Sequence, residues 1–343
     1  MNLQDLGFDA GFAAALEPYD NCIPGRISAQ HRGEYDVLTQ AGELRSRLAG
    51  RLRHEASSSA ELPAVGDWVA LREQTIQGVL PRRSAFQRKV NLGAAEAQVL
   101  AANVDSIFVV TGLDADFSAR RLERYLTLAW ESGAAPAVVL TKADLCEDPG
   151  AALLEAEQIA VGVPVHLVSN VTGEGHEELA PYLQPAKTIA LLGSSGVGKS
   201  SLANRLLGEE AQAVKELAED GTGRHTTTAR ELFRLPGGAL LVDTPGLREV
   251  QLWDADEGLE QAFADVDEVA GGCRFNDCAH MREPGCAVQQ AIDEGRLPRE
   301  RLESYRALQR ELERLARKQD ARLRSDARKK LVADVRRRRT VSW

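Results

Sequence analysis

The feature that most constrains the fold of this chain is one glycine-rich segment, Gly193-Ser194-Ser195-Gly196-Val197-Gly198-Lys199-Ser200. It follows an apolar stretch, Ile189–Leu192, and precedes a helical pattern, Ser201–Leu207, so a strand, a loop and a helix are predicted in that order. In this context glycines let backbone N–H groups wrap a phosphate, and the helix N-terminus adds partial positive charge. Lys199 is expected to reach the β- and γ-phosphates of a nucleotide, and Ser200 to bind Mg²⁺.

Strand and helix patterns alternate on the N-terminal side of this segment. Apolar stretches at Ser106–Thr111, Ala137–Leu140 and Val163–Val168 are each followed by a helical pattern. Two further strands are expected after it, at Glu231–Leu235 and Ala239–Asp243. Alternation of this kind predicts a doubly wound parallel α/β sheet.

The last of these strands ends in the sequence Asp-Thr-Pro-Gly, residues 243–246. A carboxylate at the carboxyl end of a strand beside the phosphate loop is placed to hold Mg²⁺ through water, which is the role we expect for Asp243. Gly246 offers a backbone N–H to a γ-phosphate. Alone, such a tetrapeptide more often forms a turn, but its position after the phosphate loop favours the nucleotide role.

A third set of residues predicts which base is bound. The sequence Thr141-Lys142-Ala143-Asp144 follows an apolar strand. The Asp144 carboxylate can accept hydrogen bonds from guanine N1–H and N2–H₂, a donor pair that adenine lacks. The stem of Lys142 can lie along the base. Ser169 follows the next strand and is expected on the opposite side of the base.

The segment before the predicted sheet has a different sequence pattern. Between Gly25 and Lys89 short β-type runs alternate with turn residues, which predicts a small OB-like barrel. Arginines scattered among aromatic residues there suit nucleic-acid binding, although arginines on a small barrel are usually only surface residues. These arginines are Arg45, Arg47, Arg51, Arg53, Arg72, Arg82, Arg83 and Arg88.

Cysteine usage points to a metal near the C-terminus. Three of the five cysteines form a C-x₄-C-x-H-x₅-C set with one histidine: Cys273, Cys278, His280 and Cys286. Thiolate and imidazole ligands in this combination suit tetrahedral Zn²⁺, and four protein ligands make the site structural. Buried free thiols are the alternative, and we expect Cys22 and Cys146 to be of that kind.

Charge is distributed unevenly along the 343 residues. The net charge is −9, yet residues 296–343 hold 17 Lys and Arg against 7 Asp and Glu, and end near Arg336-Arg337-Arg338-Arg339. A basic tail on an acidic body predicts a polyanionic partner. The N-terminus lacks a secretory signal pattern and no apolar run reaches ~18 residues, so we expect a cytoplasmic protein without a membrane partner.

Together these motifs are the GTPase motifs in a changed order, since Thr141–Asp144 and Ser169 precede the phosphate loop, which precedes Asp243–Gly246. The order resembles that of the circularly permuted GTPases. With the barrel before it and the Cys/His set after it, the chain is similar to the RsgA/YjeQ family of ribosome small-subunit-dependent GTPases over about residues 25–295. The resemblance implies GTP hydrolysis stimulated by the 30S subunit, late in its assembly, and binding to 16S rRNA.

The sequence departs from the usual GTPase pattern at three positions. Thr141 stands where GTPases usually have Asn, and its hydroxyl offers fewer hydrogen bonds than an amide. Asn170 follows Ser169 where Ala is usual. Leu247 stands where many GTPases carry a glutamine that orients the attacking water, so another group must complete the site.

The segment 221–228 resembles the first switch of the family. One threonine there should close on Mg²⁺, and we select Thr227, although spacing does not separate it from Thr226 and Thr228. His225 is the nearest group able to position or deprotonate a water, because its ordinary pKa of ~6.5 leaves a neutral form available. We therefore predict His225 and Lys199 as the catalytic residues.

These observations predict a monomeric GTPase with a leader (1–24), an OB-fold RNA-binding domain (25–93), a circularly permuted α/β P-loop GTPase domain (94–255) and a zinc-binding helical domain with a basic C-terminal helix (256–343). One structural zinc, and Mg²⁺ bound with GTP, are expected. The alternative class is a non-catalytic RNA-binding assembly factor that uses GTP only as a clamp. A P-loop ATPase or kinase is a third class, and Asp144 argues against it.

Overall fold

The computed structural model describes residues 1–92, 94–114, 117–208, 231–243, 256–281 and 283–317. These residues form an N-terminal barrel, a larger α/β sheet and a helical C-terminal part. Across the described ranges, every helix is too short or too polar to cross a membrane.

Five strands close into the barrel: β1 (Ile23–Gln30), β2 (Tyr35–Thr39), β3 (Gly42–Leu48), β4 (Trp68–Arg72) and β5 (Thr75–Val79). Their order is β1-β2-β3-β5-β4, and β4 pairs again with β1. Neighbouring strands are antiparallel except β3 and β5. A short helix, α2 (Gly50–Glu55), lies between β3 and β4. The predicted OB-like barrel is therefore confirmed.

The second sheet contains β8 (Ser106–Gly112), β9 (Ala135–Thr141), β10 (Val165–Leu167), β11 (Thr188–Leu192), β12 (Glu231–Arg234) and β13 (Leu240–Asp243). The order is β10-β9-β8-β11-β13-β12, and all pairs are parallel except β12 with β13. Strand β12 also pairs with β1 between Glu231 and Ala29, so the barrel and this sheet are continuous. A hairpin of β6 (Ala85–Leu92) and β7 (Ala94–Ala102) connects them along the chain.

The central strands are apolar on both faces because helices cover both sides. In β8, Ile107 and Val109 belong to one core cluster, whereas Phe108 and Val110 belong to another. The covering helices are α3 (Ala119–Glu131), α4 (Pro149–Ile159) and α5 (199–208). The predicted parallel sheet with both faces buried is thus confirmed.

One predicted helix takes another form. The helical pattern that follows the predicted strand Val163–Val168 gives a 3₁₀ segment, His176–Tyr182, instead of an α-helix. Pro181 lies inside it and lacks the N–H that an α-helix would need, and Gly175 precedes it in the left-handed conformation. The strand before it is also short, since β10 extends over only three residues.

Within the predicted leader, the first residues pack against the barrel. Helix α1 (Ala10–Leu16) places Phe12 5.8 Å from the Trp68 ring, and both Leu6 and Phe12 are buried. A seven-residue helix is too short to show periodicity, which is why the sequence predicted only a leader here. The three boundaries between the four predicted segments stay predictions, and the one near residue 93 falls in the β6–β7 hairpin.

A buried arginine holds these parts together. Arg26 in β1 is 2% exposed, and its guanidinium donates to the carbonyl oxygens of Leu6, Gly66 and Asn103 and to Thr188 Oγ1. These partners belong to the N-terminal segment, the barrel, the end of the hairpin and β11. Because a buried guanidinium must keep its partners, Arg26 fixes the barrel against the α/β sheet.

The C-terminal part contains α6 (Asp256–Ala262), α7 (Ala264–Ala270), α8 (Ala287–Asp293) and α9 (299–317). Arg301 on α9 attaches it to the sheet domain through ion pairs with Glu123 on α3 (3.0 Å) and Asp265 on α7 (2.8 Å). Burial raises the pKa of Glu123, while the charge of Arg301 acts in the opposite direction. The predicted basic tail continues into residues 318–343, which lie outside the described residues.

Candidate nucleotide site and metal centre

The predicted nucleotide motifs meet at one edge of the α/β sheet. Strands β8, β9, β10, β11 and β13 are parallel, so their carboxyl ends lie side by side. The phosphate loop leaves β11 there, Thr141 ends β9, and Asp243 ends β13 in the neighbouring position. A ligand site at the carboxyl edge of such a sheet is the usual arrangement in α/β folds.

The phosphate loop needs its glycines for space and for conformation. Gly193 has φ 155°, and a β-carbon added to it would lie 2.2 Å from the Val110 carbonyl oxygen. The Lys199 side chain is buried and folds back along the loop, where Nζ donates to the Gly193 carbonyl oxygen (2.7 Å) and to that of Ser194. The loop therefore surrounds the Lys199 ammonium group at the start of α5. This ammonium group can pair with a phosphate.

The base motif turns sharply after β9. Lys142 adopts the left-handed conformation (φ 61°), and Ala143 begins a short 3₁₀ turn that ends at Leu145. The Lys142 ammonium pairs with Asp114, and its stem runs beside Gly112, at 3.4 Å from a β-carbon added there. The aliphatic part of Lys142 is thus held along the edge of the site.

Asp144 and Ser169 are in direct contact, whereas the sequence predicted only that they lie on opposite sides of a bound base. Ser169 is buried and its hydroxyl donates to Asp144 Oδ1 at 2.6 Å, while the Thr172 N–H donates to the same hydroxyl oxygen. Asp144 itself is exposed. Its carboxylate is therefore oriented by the serine and keeps accepting capacity toward solvent, where a base with two donors could bind.

Three contacts around the proposed nucleotide site were not predicted from the sequence. Helix α3 contributes two of them, since Arg121 Nη1 and the Tyr125 hydroxyl lie 3.2 and 3.1 Å from Ser194 Oγ. Arg205 on α5 donates to the Asn170 carbonyl oxygen at 3.1 Å. The helical spacing of residues 121 and 125 places them on one face of α3, but nothing local indicates that this face meets the loop.

Other predicted residues lie in segments that are not described. These are His225 and Thr227 in the predicted switch, together with Gly246 and Leu247. Ser195, Gly196, Val197, Ser200 and Ser201 are described and lie in the loop or at the start of α5.

The four predicted metal ligands form one cluster. The ligand atoms of Cys273, Cys278, His280 and Cys286 all lie within 4.8 Å of one another. Cys273 Sγ is 3.5 Å from His280 Nδ1 and 3.9 Å from Cys286 Sγ, and the Cys286–His280 distance is 3.6 Å. A tetrahedral ion with ordinary Zn–S and Zn–N bonds separates its ligands by about 3.8 Å (S–S) and about 3.6 Å (S–N). This donor set and geometry could hold a metal ion.

The surroundings of the cluster keep its ligands in place. Cys286 caps α8, because its sulfur accepts the Gln289 N–H at 3.4 Å. Glu283 accepts the N–H groups of Ala279 and Met281, which closes the loop that carries His280. Burial lowers the pKa of His280 and the charge of Arg306 lowers it further, and this direction favours the neutral imidazole that binds metal ions.

The fold and the arrangement of motifs define a circularly permuted GTPase, since β9 and β10, which carry the base motifs, precede the phosphate strand β11 in the chain but lie in one sheet with it. Family comparisons agree. The sequence model of the family described as RsgA GTPase matches residues 79–253. The family model described as 50S ribosome-binding GTPase matches residues 188–320. The chain belongs to the RsgA GTPase family.

Relatives extend the similarity over the whole chain. The Small ribosomal subunit biogenesis GTPase RsgA of Opitutus terrae is 47% identical and covers 99% of both chains. The protein of that name from Streptomyces coelicolor is 48% identical over 95% of this chain and 91% of its own. Among solved structures, YjeQ from Thermotoga maritima matches with a TM-score of 0.65 and 28% identity, covering 85% of this chain and 98% of that one.

Proposed function

We propose that this GTPase acts late in the maturation of the small ribosomal subunit, where it binds 16S rRNA and hydrolyses GTP to GDP and phosphate when the 30S subunit stimulates it. The observation that carries this proposal is the full-length similarity to a Small ribosomal subunit biogenesis GTPase, 47% over 99% of both chains. We place the protein in the cytoplasm as a monomer.

The site residues take distinct roles in this proposal. The loop from Gly193 to Ser201 binds the triphosphate, with Lys199 on the β- and γ-phosphates. Ser200 and Thr227 hold Mg²⁺, and Asp243 holds it through water. Gly246 contacts the γ-phosphate. The base is bound by Thr141, Lys142, Ala143, Asp144 and Ser169. The support is geometric, because the described members of this set lie at one sheet edge.

The rRNA contacts are assigned to the barrel and the basic tail. Several barrel arginines already have partners: Arg45 pairs with Asp36 at 2.6 Å, and Arg47 pairs with Glu34 at 2.6 Å. Because both arginines are more than half exposed, they can exchange these carboxylates for phosphates. Arg82 is different, since its bidentate pair with the fully buried Asp67 makes it part of the core.

Phosphate release with and without 30S subunits tests the proposal. We expect the subunit to raise the rate by at least about tenfold, because a GTPase without the orienting glutamine depends on an outside contribution. Lys199→Ala, which lacks the phosphate-loop cation, should remain at background. GTP binding without any stimulated release would instead favour the rival class, an assembly factor clamped by GTP.

We further propose that the Cys₃His cluster holds one structural zinc ion. The supporting observation is the agreement of its ligand distances with a tetrahedral site, and the Mg²⁺ proposed above belongs to the nucleotide. Four protein ligands leave no open position, so the metal would supply folding free energy to the C-terminal part and no chemistry.

Removing the metal should loosen the C-terminal part and spare nucleotide binding. For Cys278→Ser we expect zinc content to fall from about one ion per chain to near none, and proteolysis within residues 256–317 to become faster, because structural zinc stabilises the folded state outright. Cys22→Ser, at a half-buried cysteine outside the cluster, is the matched control. Well under one zinc per freshly purified, intact chain would contradict the assignment.

A further inference from the structure

The two departures of the base motifs from the usual GTPase pattern meet at one residue of the phosphate loop. A β-carbon added to Gly198 would lie 3.3 Å from Thr141 Oγ1 and 3.2 Å from Asn170 Nδ2. Thr141 stands where an asparagine is usual, and Asn170 where an alanine is usual. Compared with the usual pattern, residue 141 lacks a side-chain amide and residue 170 has an additional one. Both side chains lie against the backbone at Gly198.

Thr141 alone can make only one bond to that backbone. Its hydroxyl is fully buried and lies within hydrogen-bond distance of the Val197 carbonyl oxygen and, at 3.3 Å, of the Thr111 carbonyl oxygen. A hydroxyl has one proton, so it donates to one of these carbonyls at a time. An asparagine amide would offer two N–H groups at this position.

Asn170 provides the missing donor. Its Nδ2 donates to the Gly198 carbonyl oxygen at 3.2 Å, and this carbonyl partner fixes which end of the amide faces the loop. Its Oδ1 is buried and has no partner in the described part of the chain. Because an unpaired buried oxygen is costly, an apolar side chain would be preferred here unless the amide donor itself were needed.

We infer that Asn170 replaces the amide that residue 141 lacks, and that it is a positioning residue for guanine nucleotide. Its side chain ties the loop that carries Ser169 to Gly198, and Arg205 on α5 ties the same loop through the Asn170 carbonyl oxygen. Ser169 in turn orients Asp144. Loss of the Asn170 amide frees this loop from the phosphate loop and speeds nucleotide release. The inference rests on the proposed guanine site.

The test is the rate at which the full-length protein releases GDP that carries a fluorescent ribose label. We expect Asn170→Ala to release it about tenfold faster, and Asn170→Asp, which keeps the shape but removes both donors, to do the same. The double variant Thr141→Asn/Asn170→Ala restores an amide beside Gly198 and should return to within about threefold of the unmutated rate. Asn204→Ala on α5 is the matched control, and thermal melting verifies folding.

Each outcome decides the inference. Release from Asn170→Ala and Asn170→Asp at the unmutated rate would overturn it. Faster release that Thr141→Asn does not reverse would also overturn it, since a general packing defect is not repaired from residue 141. Failure of the unmutated protein to bind the labelled GDP would overturn the proposed guanine site, and that result is distinct from both of the others.

Discussion

Replacing Asp144 by asparagine should weaken GTP binding by about 100- to 1,000-fold, which corresponds to roughly 3–4 kcal/mol at 1.4 kcal/mol per tenfold. The carboxylate is proposed to accept hydrogen bonds from guanine N1–H and N2–H₂. In asparagine one oxygen becomes an NH₂ group, so a donor would face a donor. Xanthosine triphosphate carries an oxygen at the position of the guanine amino group, and its relative affinity should therefore rise.

The structure indicates that the Asp144→Asn variant changes base recognition without disturbing the fold. The Ser169 hydroxyl donates to Asp144 Oδ1 at 2.6 Å, and a hydroxyl can serve an amide oxygen or an amide N–H equally well, so the variant should keep its fold. Asp148→Asn is the matched control, because Asp148 caps α4 at the Ala151 N–H and asparagine caps helices as well. Competition among GTP, xanthosine triphosphate and ATP for the site measures their relative affinities. If ATP competes as well as GTP in the unmutated protein, the guanine assignment is wrong.

His225→Ala should leave GTP binding and 30S docking intact and lower 30S-stimulated hydrolysis by about 100-fold or more, the size of a lost general base. The chain has Leu247 where a glutamine would orient the attacking water, so a proton acceptor has to come from elsewhere. A neutral imidazole in the predicted switch can supply it at neutral pH. Both residues lie outside the described residues, and the expectation rests on their chemistry.

Single-turnover phosphate release with saturating 30S subunits measures this effect separately from docking. His54→Ala, at an exposed histidine on α2 of the barrel, is the matched control and should keep full stimulation. The competing hypothesis holds that His225 only contacts RNA and that the ribosome provides the catalytic group. Stimulation at the unmutated level in His225→Ala would support that hypothesis and remove His225 from the mechanism.

Local patterns were sufficient to predict the class of fold and the motif residues. The phosphate loop, the Asp144 motif and the Cys₃His set each lie within a short stretch, and each requires particular residue types at fixed spacing. Burial of both sheet faces likewise leaves a local trace, because strands such as β8 become apolar throughout. Interactions that are completed within one segment can be predicted from that segment.

The way in which the motifs are joined depends on contacts that form only when the chain has folded. The sequence marks Thr141 and Asn170 as two separate departures, but their contact with Gly198 appears once three distant loops meet. Nothing in the sequence distinguishes Arg26 and Arg301 from the other arginines. In the structure Arg26 joins the barrel to the sheet, and Arg301 joins the C-terminal helices to α3. Such roles depend on partners more than 100 residues away, and hydrophobic periodicity carries no information about which distant carbonyl or carboxylate a buried guanidinium will meet.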